Sequence, residues 1–185
     1  MSILTNRLKY VLSPQADIYK QVSEITSGWI ADVGCGLGFG SNLLVKNSKL
    51  VCGYDNTPEY LKFAKWCFPG VRFLGHDITK GPLPYVYDYI LMIDVIEHIE
   101  QDQLAIKNAC KSLKESGTLI ISTPNKASRY RKSDNHIREY TPTELKEMLQ
   151  NQFSNVRLMS YGWSNIQTNY ENPIIALCKK ENDNG

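Results

Sequence analysis

Four glycines, Gly34, Gly36, Gly38 and Gly40, alternate along the chain just after Asp32 and the short apolar run that it ends. An apolar, helix-like segment begins at Ser41. A backbone without Cβ atoms can come close to a ligand, and a helix opening behind it aims free N–H groups at that ligand. The chemistry this spacing serves is binding of a nucleotide-like molecule. Cys35 sits inside the loop and is the one nucleophile there. No base or cation adjoins it to lower its pKa, so it reads as a buried thiol.

A dinucleotide loop wants G-x-G-x-x-G. Counting from Gly34 puts Phe39 at the sixth position, and counting from Gly36 puts Ser41 there. Small residues are tolerated at that place, so the loop alone leaves a nicotinamide dinucleotide open.

The elements that must position this loop follow from periodicity and punctuation. Residues 15–27 read as a helix between Pro14 and Gly28, and residues 29–33 as the first strand. A helix over 41–46 continues the loop. A second strand spans 50–54, with Asp55 at its end, and Thr57-Pro58 opens a helix to Trp66. Residues 71–74 form a third strand. Residues 87–93 form a fourth, nearly continuous in apolar side chains, as buried parallel strands are. A helix over 101–113, a turn at 115–117 and a strand over 118–122 follow. Thr141 and Glu144 have capping-box spacing before a helix to Gln150. Residues 156–161 and 174–178 read as strands joined by a polar loop, too close for a helical crossover and therefore antiparallel.

Strands alternating with helices imply an α/β fold with a doubly wound, Rossmann-like sheet covered on both faces. Seven strands are expected, mostly parallel with an antiparallel last strand, in a single domain over residues 1–185. Residues 1–14 read as irregular and 180–185 as a frayed polar tail.

With these elements in place the chain resembles the class I S-adenosylmethionine-dependent methyltransferases over about residues 15–180. The carrying residues are Asp32-Val33-Gly34-Cys35-Gly36-Leu37-Gly38, Asp55, Gly75-His76-Asp77-Ile78, Ile93 to Ile99, Ser122-Thr123-Pro124-Asn125 and the terminal reversed pair. The resemblance implies S-adenosylmethionine as cofactor and S-adenosylhomocysteine as product. Carried over, the cofactor-binding residues are Asp32, Gly34, Cys35, Gly36, Gly38, Asp55, Asn56, Asp77, Ile78, Ile93 and Asp94. Asp55 would accept both ribose hydroxyls in charge-assisted bonds. Asp77 would accept from the adenine amino group, Ile78 would supply a backbone donor and an apolar wall, and Asp32 would favour the ammonium. The plain alternative is that Asp32 and Asp55 cap helices. Trp66 and Phe73 are read as core residues before covers for adenine.

Methyl transfer needs a positioned nucleophile, and a hydroxyl acceptor also needs help losing its proton. Glu97, His98 and His136 are the catalytic candidates, with Thr123 to Asn125 beside them. The layout D-x-x-E-H, S-T-P-N and a later His resembles the branch holding quinone-ring O-methyltransferases and small-RNA 3′-terminal 2′-O-methyltransferases. There a divalent metal is held by E-x-x-E-H and a later His, which implies Asp94, Glu97, His98 and His136 here. Asp94 is one methylene shorter than the Glu of that pattern, and no metal is assigned. Glu97 and His98 alternatively cap the following helix. His76 and Asp88 are read as structural.

The run 126–138 carries Lys126, Arg129, Arg131, Lys132 and Arg138 against Asp134. It reads either as a solvated face or as a cationic lid that would favour an anionic acceptor. Tyr130 and Tyr140 would stack on an acceptor ring or simply pack. The expected reaction is O-methylation of a small molecule. An RNA-end 2′-O-methyltransferase and a non-catalytic cofactor-binding protein are the alternatives.

The whole chain of 185 residues is 42% hydrophobic and 22% charged, with net charge +2. That balance gives no global argument for nucleic acid, and no apolar run approaches the ~20 residues of a membrane span. The five cysteines form no C-x-x-C pair, which suits a cytoplasmic protein with free thiols. A monomer or homodimer is expected.

Overall fold

Ser13 starts helix α1 (Pro14–Ile25) by accepting the Ala16 N–H on its hydroxyl, with Pro14 in the first turn where no N–H is missed. The computed structural model describes residues 13–128, 133–167 and 170–180. The chain divides into two compact units, Met1–Asp77 and Ile78–Gly185.

In the first unit α1 leads to β1 (Gly28–Val33), α2 (Phe39–Leu44), β2 (Ser48–Asp55), α3 (Pro58–Cys67) and β3 (Arg72–Gly75). β1 and β2 pair in parallel with Ile30 opposite Val51, and β2 and β3 pair in parallel with Gly53 opposite Phe73. Ile30, Ala31 and Val33 are buried, as are Val51, Cys52 and Tyr54, so side chains on both pleats are covered. Gly38 caps α2 at φ +81°, and a Cβ there would lie 2.6 Å from the Phe73 ring. Both conditions exclude any other residue without distortion.

The second unit holds β4 (Tyr87–Ile93), α4 (Asp102–Lys111), β5 (Leu113–Thr123), α5 (Pro142–Gln150), β6 (Asn155–Met159) and β7 (Ile174–Lys179). β4 runs parallel to β5, and β7 runs antiparallel to both β5 and β6. Among the described residues the strands form a seven-stranded sheet in the order β3-β2-β1-β4-β5-β7-β6. This is the expected, mostly parallel sheet with its last strand reversed. Thr141 and Glu144 form the expected capping box at α5.

Two expectations are corrected. Residues 115–117 do not turn the chain but lie inside β5. Tyr87 pairs with Leu113 and Tyr89 with Thr118, so extra residues bulge out while the strand continues. The strand–helix alternation also lapses before β4, because residues 78–86 contain no helix. Gly81, Pro82 and Pro84 interrupt any helical run there. Residues 1–12 and 181–185, expected to be irregular and frayed, fall outside the described residues.

Candidate active site

β1 carries Asp32 to the foot of the glycine loop, where it is fully buried. The Tyr19 hydroxyl from α1 donates to its Oδ1 at 2.7 Å, and the Ser41 hydroxyl from α2 donates to Oδ2 at 2.5 Å. Burial pushes its carboxyl up to about 6, against the pull of the two hydroxyls, and neighbouring Asp55 adds to the rise. Asp32 therefore ties two helices to the strand end, and in its ionised form lays negative charge under the loop.

The loop is pinned from β2. The N–H groups of Gly34 and Cys35 both donate to the Tyr54 carbonyl, at 2.7 and 3.0 Å. Asp55 accepts the Gly36 N–H on Oδ2 at 2.9 Å and the Thr57 N–H on Oδ1 at 2.8 Å. An ionised carboxylate offers about four acceptor sites, so each oxygen can still take a hydroxyl. Gly36 has φ +53°, and the space where its Cβ would stand is open. Gly34 is exposed, Asn56 is exposed and Asp77 is half-buried. Cys35 is buried, and burial followed by the charges of Asp32 and Asp55 drives its thiol upward. A thiol held protonated is no nucleophile.

In the second unit β4 ends at Ile93, itself buried, and Asp94 follows at φ +53°. Its N–H donates to the Ser122 carbonyl at 2.9 Å, and its Oδ1 accepts the Ser122 hydroxyl at 2.7 Å. A single 3₁₀ turn, Ile96–His98, then presents the acid and the imidazole. Glu97 is fully buried; Oε2 accepts the Thr123 hydroxyl at 3.1 Å, and Oε1 has no hydrogen-bond partner among the described residues. Burial, reinforced by the charge of Asp94, pushes the Glu97 carboxyl up to about 8.

The exposed His98 ring sets Nδ1 2.9 Å from the Asn135 carbonyl. A carbonyl only accepts, so Nδ1 carries the proton and the neutral ring keeps its lone pair on Nε2. His136 sets Nδ1 2.8 Å from Glu139 Oε1, an acceptor that favours the same tautomer. The two rings stand edge to face, 5.0 Å between centroids. One ligand atom from each of Glu97, His98 and His136 lies within 4.8 Å of the others. Two imidazoles, each held at Nδ1, and a buried carboxylate with one orphaned oxygen make a donor set that fits a divalent cation. A cation there would give Oε1 the partner it lacks.

A family model described as a methyltransferase domain matches residues 29–178. The chain is a member of the class I S-adenosylmethionine-dependent methyltransferase family. A ubiquinone biosynthesis O-methyltransferase from Rickettsia conorii is 30% identical over 129 residues, covering 68% of this chain and 45% of the relative. The chain spans about half the length of the first curated relatives it matches. A TehB-like S-adenosylmethionine-dependent methyltransferase from Corynebacterium glutamicum has the same fold, with TM-score 0.74, 18% identity and 96% of each chain covered. The N-methyltransferase NodS from Bradyrhizobium japonicum, solved with S-adenosylhomocysteine, has TM-score 0.70 and 16% identity, with 93% of this chain and 90% of that one covered. The cofactor of the family is S-adenosylmethionine.

Within this methyltransferase several sequence readings need revision. The four-residue set reduces to three, because Asp94 is outside the Glu97, His98 and His136 group and bonded to Ser122 instead. Glu97 and His98 do not cap a helix; α4 starts at Asp102, and their side chains reach Thr123 and Asn135. Asp32 caps nothing either, since hydroxyl groups take both its oxygens. Trp66 is 72% exposed on α3 and is no core residue, whereas Phe73 is buried as expected. Tyr140 is buried with its hydroxyl on Asp102, so it packs and does not stack on an acceptor. Lys126 pairs with Glu144 and Arg138 with Asp102, and the other cations of the run are Arg129, Arg131 and Lys132. Those three and Tyr130 lie outside the described residues. Sequence reasoning missed Glu139, for which the His136-x-x-Glu139 spacing was the available signal. It also missed the Asn135 carbonyl, for which no side-chain signal exists. Among the described residues no helix is long and apolar enough to cross a membrane.

Proposed function

We propose that this chain transfers the methyl group of S-adenosylmethionine to a hydroxyl oxygen on a small molecule. The observation that carries the reading is the cluster of Glu97, His98 and His136, with one donor atom of each within 4.8 Å of the others. An amine acceptor brings its own lone pair, whereas a hydroxyl must shed a proton as it attacks. A site that gathers two imidazoles and an unpaired carboxylate oxygen suits the second case. The Rickettsia relative, a ubiquinone biosynthesis O-methyltransferase, supports the same choice.

In this reading the first unit binds the cofactor. Asp55 accepts the ribose hydroxyls, Asp77 the adenine amino group, and ionised Asp32 attracts the ammonium, while Gly34 and Gly36 leave the backbone open to approach. Ile78, Ile93 and Asp94 are the cofactor-binding candidates of the second unit. Glu97, His98 and His136 would hold a divalent cation. When bound, such a cation lowers the pKa of a coordinated hydroxyl. The hydroxyl oxygen forms the new C–O bond as the C–S bond breaks, and that bond's electron pair passes to sulfur. The proton leaves to water.

The test is release of S-adenosylhomocysteine across a panel of phenols, sugars, amines and RNA ends, with and without chelator. Turnover should appear with a phenol or sugar hydroxyl, fall on chelation, and fall about 100-fold or more in His136→Ala. S-adenosylhomocysteine should bind that variant as tightly as wild type. Turnover confined to amines, or full turnover in His136→Ala, would overturn the reading.

A further inference from the structure

We propose that Asp102 is a positioning residue, which clamps the segment bearing His136 and thereby sets the geometry of the Glu97, His98 and His136 cluster. The inference rests on the function proposed above. Asp102 lies at the first turn of α4 and touches none of the three cluster residues. Only 5% of it is exposed, and its Oδ2 accepts twice: from Arg138 Nη1 at 2.6 Å and from the Tyr140 hydroxyl at 2.8 Å. Its Oδ1 accepts the Gln103 N–H at 2.6 Å, which fixes the carboxylate on the helix start.

Those two donors sit two and four residues beyond His136. Between them Glu139 holds His136 Nδ1. The backbone of the same segment is bonded to the cluster's own acid: the Ile137 and Arg138 N–H groups both donate to the Glu97 carbonyl, at 2.9 and 3.2 Å. The far end is tied by Lys126 N–H to the Tyr140 carbonyl at 2.9 Å. His136 thus rides on a strap moored at the Glu97 carbonyl, at the Lys126 N–H, by the His98 ring on the Asn135 carbonyl and, from α4, by the Asp102 side chain. A helix-start acid needs no such partners to favour the dipole. Gathering a guanidinium and a buried phenol on one oxygen is the signature of a clamp. Without Asp102 the Tyr140 hydroxyl, 3% exposed as a residue, loses its acceptor and can regain one only if the strap shifts. A shift of about 1 Å is enough to spoil a three-point site.

Cobalt(II) alone is the probe, followed by its visible absorption in the wild-type full chain and in Asp102→Ala and Asp102→Asn. The second readout is the imidazole ¹⁵N spectrum, in which the three histidines of the chain give three rings. Asp102→Ala should weaken cobalt binding about tenfold or more and alter the absorption band, with Asp102→Asn intermediate. S-adenosylhomocysteine affinity should stay at the wild-type level in both, which also certifies folding. In the ¹⁵N spectrum the His136 Nδ1–H signal should broaden or shift in Asp102→Ala while His76 keeps its own. Unchanged cobalt binding together with an unchanged His136 signal in a folded variant overturns the clamp. If wild type binds no cobalt, the metal reading fails, and the His136 signal alone then decides for or against the clamp.

Discussion

At the scale of single residues, the same physics that builds the candidate site makes it sensitive to pH. Asp32 has its carboxyl pushed up to about 6 by complete burial, above the usual carboxylate value. A raised acid stabilises the fold in its protonated form. That contribution is fully present below the unfolded value of 3.8 and is lost as pH rises through about 6. Ligand binding runs the other way, because an ammonium is attracted only by the ionised form. S-adenosylhomocysteine affinity should therefore be flat above neutrality and fall about tenfold at one pH unit below the Asp32 pKa. Calorimetric titration between pH 5 and 8 measures it. A flat profile across that range would remove Asp32 from the ammonium site and leave it as the anchor of Tyr19 and Ser41.

Elements matter here mainly through where they start and stop. α5 starts at Pro142 immediately after the strap that carries His136 and Tyr140, and its start is fixed by the reciprocal bonds of Thr141 and Glu144. Thr141→Ala removes the side-chain acceptor for the Glu144 N–H and should cost about 1 kcal/mol. In a chain of this length that lowers the melting temperature by about 2–4 °C, and Thr141→Ser should restore it. Melting curves indistinguishable from wild type would mean that solvent replaces the cap without loss. Elements of this kind were legible beforehand because their signals are local. The glycine loop, the capping box and the apolar run of β4 each declare themselves within a few residues. The bulge in β5 was not legible, since Glu115, Ser116 and Gly117 are turn-formers by type. Only the pairing of Thr118 and its successors with Tyr89 and the rest of β4 keeps them in a strand. The site divides the same way. Glu97, His98 and His136 carry a recognisable spacing, whereas the bond of Asp94 to Ser122 on a neighbouring strand, which sets it apart from that cluster, is a tertiary fact.

For the molecule as a whole, the cofactor reading predicts coupling between ligand and stability. A ligand that binds only the folded chain stabilises it by mass action, about 2.7 kcal/mol at a hundredfold excess over its dissociation constant. For a protein of this size that raises the melting temperature by about 5–10 °C. S-adenosylhomocysteine should produce such a shift, and NAD should not. Asp55 is the residue on which the size of the shift turns, because its two oxygens are already oriented by the Gly36 and Thr57 N–H groups. Preorganised acceptors of this kind contribute about 1.5–3 kcal/mol for each hydrogen bond to a charged group. Asp55→Ala also removes the pins on the loop, so some loss of basal stability is expected. Asp55→Asn keeps one acceptor oxygen and separates the two effects. At equal ligand concentration the ligand-induced shift should vanish in Asp55→Ala and be roughly halved in Asp55→Asn. A full shift in both variants would place the ribose elsewhere, and the loop would then have to be read as structure alone.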